Sequence, residues 1–302
     1  MPPRCLKLSR RFNKRNRIGN KASQAIHMIE EVEIESLRAG AVLAVSEADL
    51  DRKIALTRRT CKLWNERCLS LRTPLDPAVP LRPGRPTKPD LVPPNQMKKR
   101  SLHSQHGRIA LLHAICHIEL NAVDLALDIV ARFADQPVPR SFFDGWMQVA
   151  FEEAKHFMLV RDRLRSLGSD YGALPAHDGL WQAAHSTRNS LTARLAVVPL
   201  ILEARGLDVT PSMRDKLREL GDHESADIFS IIYEDEKGHV AIGAKWFRFL
   251  CAREKRDPAQ AYQELVRANF RGGTKPPFND LARAAAGLTP SFYRTLSSLS
   301  NA

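Results

Sequence analysis

The sequence predicts an all-α fold built round a four-helix bundle, and three observations carry that prediction. Apolar residues recur at three- and four-residue steps through four long segments. No segment sustains the alternation of a strand. Proline and glycine cluster between the long segments, where they mark turns. The 302 residues suffice for one or two domains with an ample core, and no run approaches the roughly 18 apolar residues of a membrane helix.

The elements follow in order. Residues 1–31 form a basic tail expected to be disordered: eight of the Lys and Arg residues fall in residues 1–29 with no acid, so two thirds of the net charge of +12 sits there. An Arg-rich, acid-free tail has the character of an organelle transit peptide, of a nucleic-acid-binding arm or of an inert extension. Without it the body is only mildly basic, and a cytoplasmic protein is expected, with an organelle as the alternative. Residues 32–100 should hold a helical hairpin, with helices over 33–44 and 47–71, the second capped by Ser46. A strap follows in which residues 72–97 carry eight of the nineteen prolines, a polyproline-like spacing. The bundle occupies 101–256, with helices over 104–133, 141–166, 179–205 and 223–253. Thr210-Pro211 predicts a cap and a first helical turn, hence a short separate helix over 211–220. A helical extension closes the chain over 257–302, with helices at 258–270, 279–286 and after Pro290.

The bundle carries a duplicated pattern. Two Glu-x-x-His pairs, Glu153–His156 and Glu236–His239, each follow a single glutamate, Glu119 and Glu203, at 34 and 33 residues. Residues three apart share a helix face about 5–6 Å apart between Cβ atoms, so one turn offers a carboxylate and an imidazole to one metal. Six such ligands suit two cations about 3.5–4 Å apart. The placement matters more than the motif. The helical neighbours of Glu119 are Leu112, Ile115, Cys116, Ala122, Val123 and Ala126, and the other three glutamates also sit in apolar stripes. A buried carboxylate loses several kcal/mol of hydration unless it is paired or bound to a cation, and four together repel one another.

Acids precede both pairs. Asp235 could accept the outer N–H of His156, and Glu152 that of His239, as carboxylates commonly do for metal-bound imidazoles. Pro199, four residues before Glu203, should bend its helix. The remaining histidines compete poorly. His113 and His117 lie off the ligand face, and His103, His106, His177, His185 and His223 fall near helix ends. Five cysteines without a CxxC fit a reducing compartment, and Cys116, one turn from Glu119, is expected to pack as a small apolar group.

The ligand pattern and the segments LLHAICHIELNAVDLALD, FEEAKHF, LPAHDGLW, LAVVPLILEARGLDVTP and YEDEKGHVAIG resemble the ferritin-like di-iron carboxylate superfamily. Within it the chain is similar, over about residues 32–290, to a bacterial ferritin-like family of unknown function, and more distantly to tRNA hydroxylases. The resemblance implies Glu119, Glu153, His156, Glu203, Glu236 and His239 as ligands of two iron or manganese ions. Gly206-Leu-Asp is expected to end the Glu203 helix early. The function implied is O2-dependent hydroxylation or oxidation of an organic substrate, a small molecule or a modified tRNA, served by an electron donor. The alternatives are ferroxidase or peroxide-removing chemistry and a non-catalytic metal-stabilised scaffold. No membrane partner is expected.

Overall fold

The structure, a computed structural model, describes residues 32–97, 101–270 and 274–297. The basic tail expected at 1–31 lies outside the described residues. Among those residues the regular elements are all helices: two isolated bridges, Ser36 with Ser70 and Leu91 with Ala176, are the only β pairing. Among the described residues, no helix is long and apolar enough to cross a membrane.

In chain order the helices are α1 (Leu37–Ser46), α2 (Leu50–Asn65), α3 (Gln105–Arg132), α4 (Arg140–Ser166), α5 (Gly179–Ser186), α6 (Leu191–Val197), α7 (Ala204–Glu219), α8 (His223–Arg253), α9 (Pro258–Asn269), α10 (Asp280–Ala285) and α11 (Pro290–Ser297). The strap holds only a 3-10 turn, Pro94–Gln96. Two compact units divide the described residues, those up to 86 with 126–154, and 87–125 with those from 155 onward, so that each contains part of α3 and of α4.

The first unit rests on the α1–α2 hairpin. Both helices begin later than the sequence predicts, because the capping side chains are Ser36, which accepts from the Ala39 N–H, and Asp49, which accepts from the Arg52 N–H. Ser46 closes α1 and does not open α2. Helix α2 ends at Asn65 because Arg67 adopts a positive φ of 61°. Gly40 lets the two helices meet closely, since a Cβ there would lie 2.6 Å from Thr60 Cγ2. Trp64 is fully buried, donates Nε1–H to Asp144 at 2.8 Å, and carries the Arg140 guanidinium 3.4 Å above its ring.

The second unit contains the largest correction to the sequence reading. The segment expected as one helix over 179–205 is broken at 187–190. There the Thr187 hydroxyl donates to the α5 carbonyls of Ala183 and Ala184, and Ser190 caps a new helix by accepting from the Ala193 N–H. From Leu191 the chain stays helical to Glu219, through a π-helical stretch, Val198–Glu203, between α6 and α7. Gly206 and Pro211 therefore lie inside α7, and no separate helix starts at Pro211.

Each departure has a local cause. Pro199 lacks an N–H and crowds the preceding turn, and the wider π turn accommodates it. The Ala204 N–H reaches the Pro199 carbonyl, and the buried Tyr262 hydroxyl donates to Leu200 O at 3.0 Å. Gly243 on α8 makes room for the proline ring, since a Cβ there would lie 2.4 Å from Pro199 Cβ. Pro211 removes the helical donor to Leu207 O, and Asn279 replaces it with a side-chain N–H at 3.2 Å. Asp208, beside that carbonyl, accepts two bonds from the buried Arg283, at 2.8 and 2.7 Å, and one from the Asn279 N–H at 2.9 Å. Phe247, Tyr262 and Phe292 pack as an aromatic cluster that joins α8, α9 and α11.

Candidate metal centre

Helix α3 carries Glu119, α4 carries Glu153 and His156, the π stretch carries Glu203, and α8 carries Glu236 and His239. Five of the six are buried, and Glu203 is half-buried. Glu119, Glu153, His156 and Glu236 each present one donor atom within 4.8 Å of the others, a group that could hold a metal ion. Glu203 and His239 stand outside that tightest set. Glu203 shares the wall of one cavity with Glu119 and Glu236. His239 Nδ1 lies 3.7 Å from Glu236 Oε2, and its ring is centred 5.8 Å from that of His156.

The orientation of His156 is set from outside the cluster. Its Nε2 lies 2.8 Å from Asp235 Oδ2, and Lys155 forms an ion pair with the same oxygen. Burial alone would raise the Asp235 pKa, but the hydrogen bonds donated by Lys155 and His156 hold it below the usual carboxylate range. An ionised carboxylate only accepts, so the imidazole proton resides on Nε2. Nδ1 then faces Glu119 Oε2 at 3.3 Å. A nitrogen lone pair and a carboxylate oxygen at that distance repel unless a proton or a cation lies between them. Lys155 was not foreseen: it neighbours His156 in sequence, but nothing in the pattern distinguishes it from a solvated lysine. Glu152 accepts from Gln148 one turn earlier on α4, at 3.1 Å.

The other candidates serve the fold. His117 Nε2 donates to His177 O at 3.0 Å, so Nδ1 accepts from the Tyr171 hydroxyl at 2.8 Å. His113 Nε2 accepts from the Gly172 N–H at 3.0 Å, and burial lowers its pKa to about 4 against the opposing charge of Asp170. Burial, and then the negative charge of Glu119, push the Cys116 thiol up, so it is no thiolate ligand at neutral pH.

The cavity shared by the three carboxylates measures about 140 Å³. Its remaining walls are mostly apolar side chains of α3, α5, α7 and α8, with Arg205 and Thr210 as the polar exceptions. Sequence reasoning missed its lining because residues on five elements compose it.

A cluster of buried carboxylates beside an apolar cavity constrains chemistry without identifying kin, and comparison with known proteins supplies the kinship. Residues 46–294 match the family described as "Protein of unknown function (DUF455)". The chain belongs to that family. A Haemophilus influenzae protein, named "Uncharacterized protein", is 40% identical over 209 residues, which span 68% of this chain and 73% of its own. No solved structure matches. The family match covers all six predicted ligand positions.

Proposed function

We propose that Glu119, Glu153, His156, Glu203, Glu236 and His239 hold a pair of iron or manganese ions in a ferritin-like bundle, and that the protein is an O2-dependent oxidoreductase acting on an organic substrate. The observation that carries this reading is the convergence of four buried donor atoms within 4.8 Å at a cavity that also takes in Glu203. When bound, the metal pair supplies redox chemistry with dioxygen.

The chain's own residues do the rest. The four glutamates balance the charge of two divalent ions. Asp235 keeps the imidazole proton on Nε2 and so fixes which nitrogen of His156 turns to the cluster. The apolar walls limit water at the site, which strengthens every electrostatic interaction within it. The cavity also favours oxidation of an organic substrate over simple iron oxidation, which needs a path for ions and not an apolar chamber.

The test is anaerobic reconstitution of the full-length chain with ferrous iron, followed by an O2 pulse. The reading predicts close to two irons per chain and O2 consumption well above that of free iron, both lost in Glu236→Ala. No bound iron, or O2 consumption no faster than the free metal, would overturn it.

A further inference from the structure

Gly206 lies inside α7, where glycine weakens a helix relative to alanine. It is not among the glycines with positive φ. A Cβ built on it meets nothing within 4 Å, so packing does not require its absence. What distinguishes the position is that it lines the cavity beside Glu119, Glu203 and Glu236.

The size and chemistry of that cavity define a ligand class. An apolar cavity of about 150 Å³ takes one benzene, and this one measures about 140 Å³. Ile115, Ala122, Leu202, Met213, Phe229 and Ile232 are among the apolar residues that line it, with Arg205 and Thr210 the polar residues besides the carboxylates. An anion would lose its hydration there and would face three carboxylates, and a cation would lose its hydration among the apolar walls. We infer that this cavity is the substrate pocket for a compact, uncharged hydrocarbon group of about benzene size, and that Gly206 keeps it open. The assignment as a substrate pocket rests on the metal reading above, whereas the pocket's binding preference does not.

Fluorobenzene serves as probe, with benzoate as its charged counterpart and 1,3,5-triisopropylbenzene as an oversized one. Fluorine and ligand-observed NMR would follow binding to the full-length chain, metal-free and after loading with Mn(II). Fluorobenzene should bind saturably at one site, with benzoate and the oversized arene at least tenfold weaker. Gly206→Leu on α7 and Ala122→Leu on α3 each add bulk to the cavity lining, and each should weaken fluorobenzene at least tenfold while leaving metal content unchanged. The three-probe comparison on the unaltered chain reads the pocket even if both variants misfold. Absence of saturable binding, equal binding of benzoate, or parent-like binding in both folded variants would overturn the inference. Fluorobenzene binding without metal uptake would overturn the metal reading and leave the pocket standing; metal uptake without fluorobenzene binding would overturn the pocket alone.

Discussion

The two halves of the candidate centre repeat one pattern in sequence and differ in structure. In the first half, Glu119, Glu153 and His156 sit on regular α-helices, and all three join the tight donor group. In the second, Glu236 joins from the regular α8, while Glu203 rides on a π-helical stretch and stands with His239 outside that group. Equal spacing along the chain thus yields unequal placement. The second half is held by remote supports: Tyr262 on a Leu200 carbonyl, Gly243 against Pro199, and Asn279 with Arg283 on the α7 segment that follows. A π-helical turn is an uncommon element that recurs at functional sites, and here it positions a carboxylate at the cavity.

Changes to those supports should therefore damage the second half selectively. Asp208→Ala carries the largest expected effect. It strips the buried Arg283 of its bidentate partner, and breaking such a pair costs about 3–5 kcal/mol. Urea unfolding should report that loss; a change below about 1 kcal/mol would mean that Arg283 finds another partner. Gly243→Ala drives a methyl into the Pro199 ring and should cost about 1–3 kcal/mol by overpacking. If the π stretch positions Glu203, this variant should also weaken metal binding, whereas Gly238→Ala, on the same helix with open space around it, should not. Asn279→Ala removes the N-cap of α10 and the donor to Leu207 O. About 1–2 kcal/mol is expected from a lost cap, with α7 fraying at Pro211 in hydrogen exchange.

The smallest effect concerns His113, on the helix that carries Glu119, and depends on pH. Burial depresses the His113 pKa from 6.5 to about 4, so the unfolded chain takes up that proton first as pH falls. Stability from this group is complete above pH 6.5 and is lost as pH falls towards 4. His113→Gln keeps an acceptor for the Gly172 N–H and cannot titrate. Its unfolding free energy should therefore fall less than the parent's between pH 7 and pH 5. Parallel losses in the two proteins would show that His113 does not contribute to acid sensitivity.

Regular elements were readable from the sequence. Helix α8 runs over His223–Arg253 as its apolar period predicts, opened by Asp222 as N-cap. Helices α3 and α4 fall within one residue of their predicted ends. The Leu191–Glu219 segment was misread because its helix-breaking residues are compensated elsewhere. Pro211 signals a helix start, and the amide that lets α7 run through it belongs to Asn279, 68 residues later. Gly206 signals a helix end, but nothing at that position demands a left-handed turn. The glutamates and histidines stood out because acids in apolar stripes are conspicuous. The cavity did not, since Ile115, Met213 and Ile232 look like ordinary core residues until the helices are assembled.

The measurement that bears most directly on the account is the metal content of the full-length chain after reconstitution with ferrous iron or Mn(II), compared with Glu119→Ala and Glu203→Ala. The account predicts close to two ions per chain in the parent and a lower content in each variant, with the helical signal retained. Content near zero in the parent, or unchanged content in both variants, would contradict a metal centre built from these two halves.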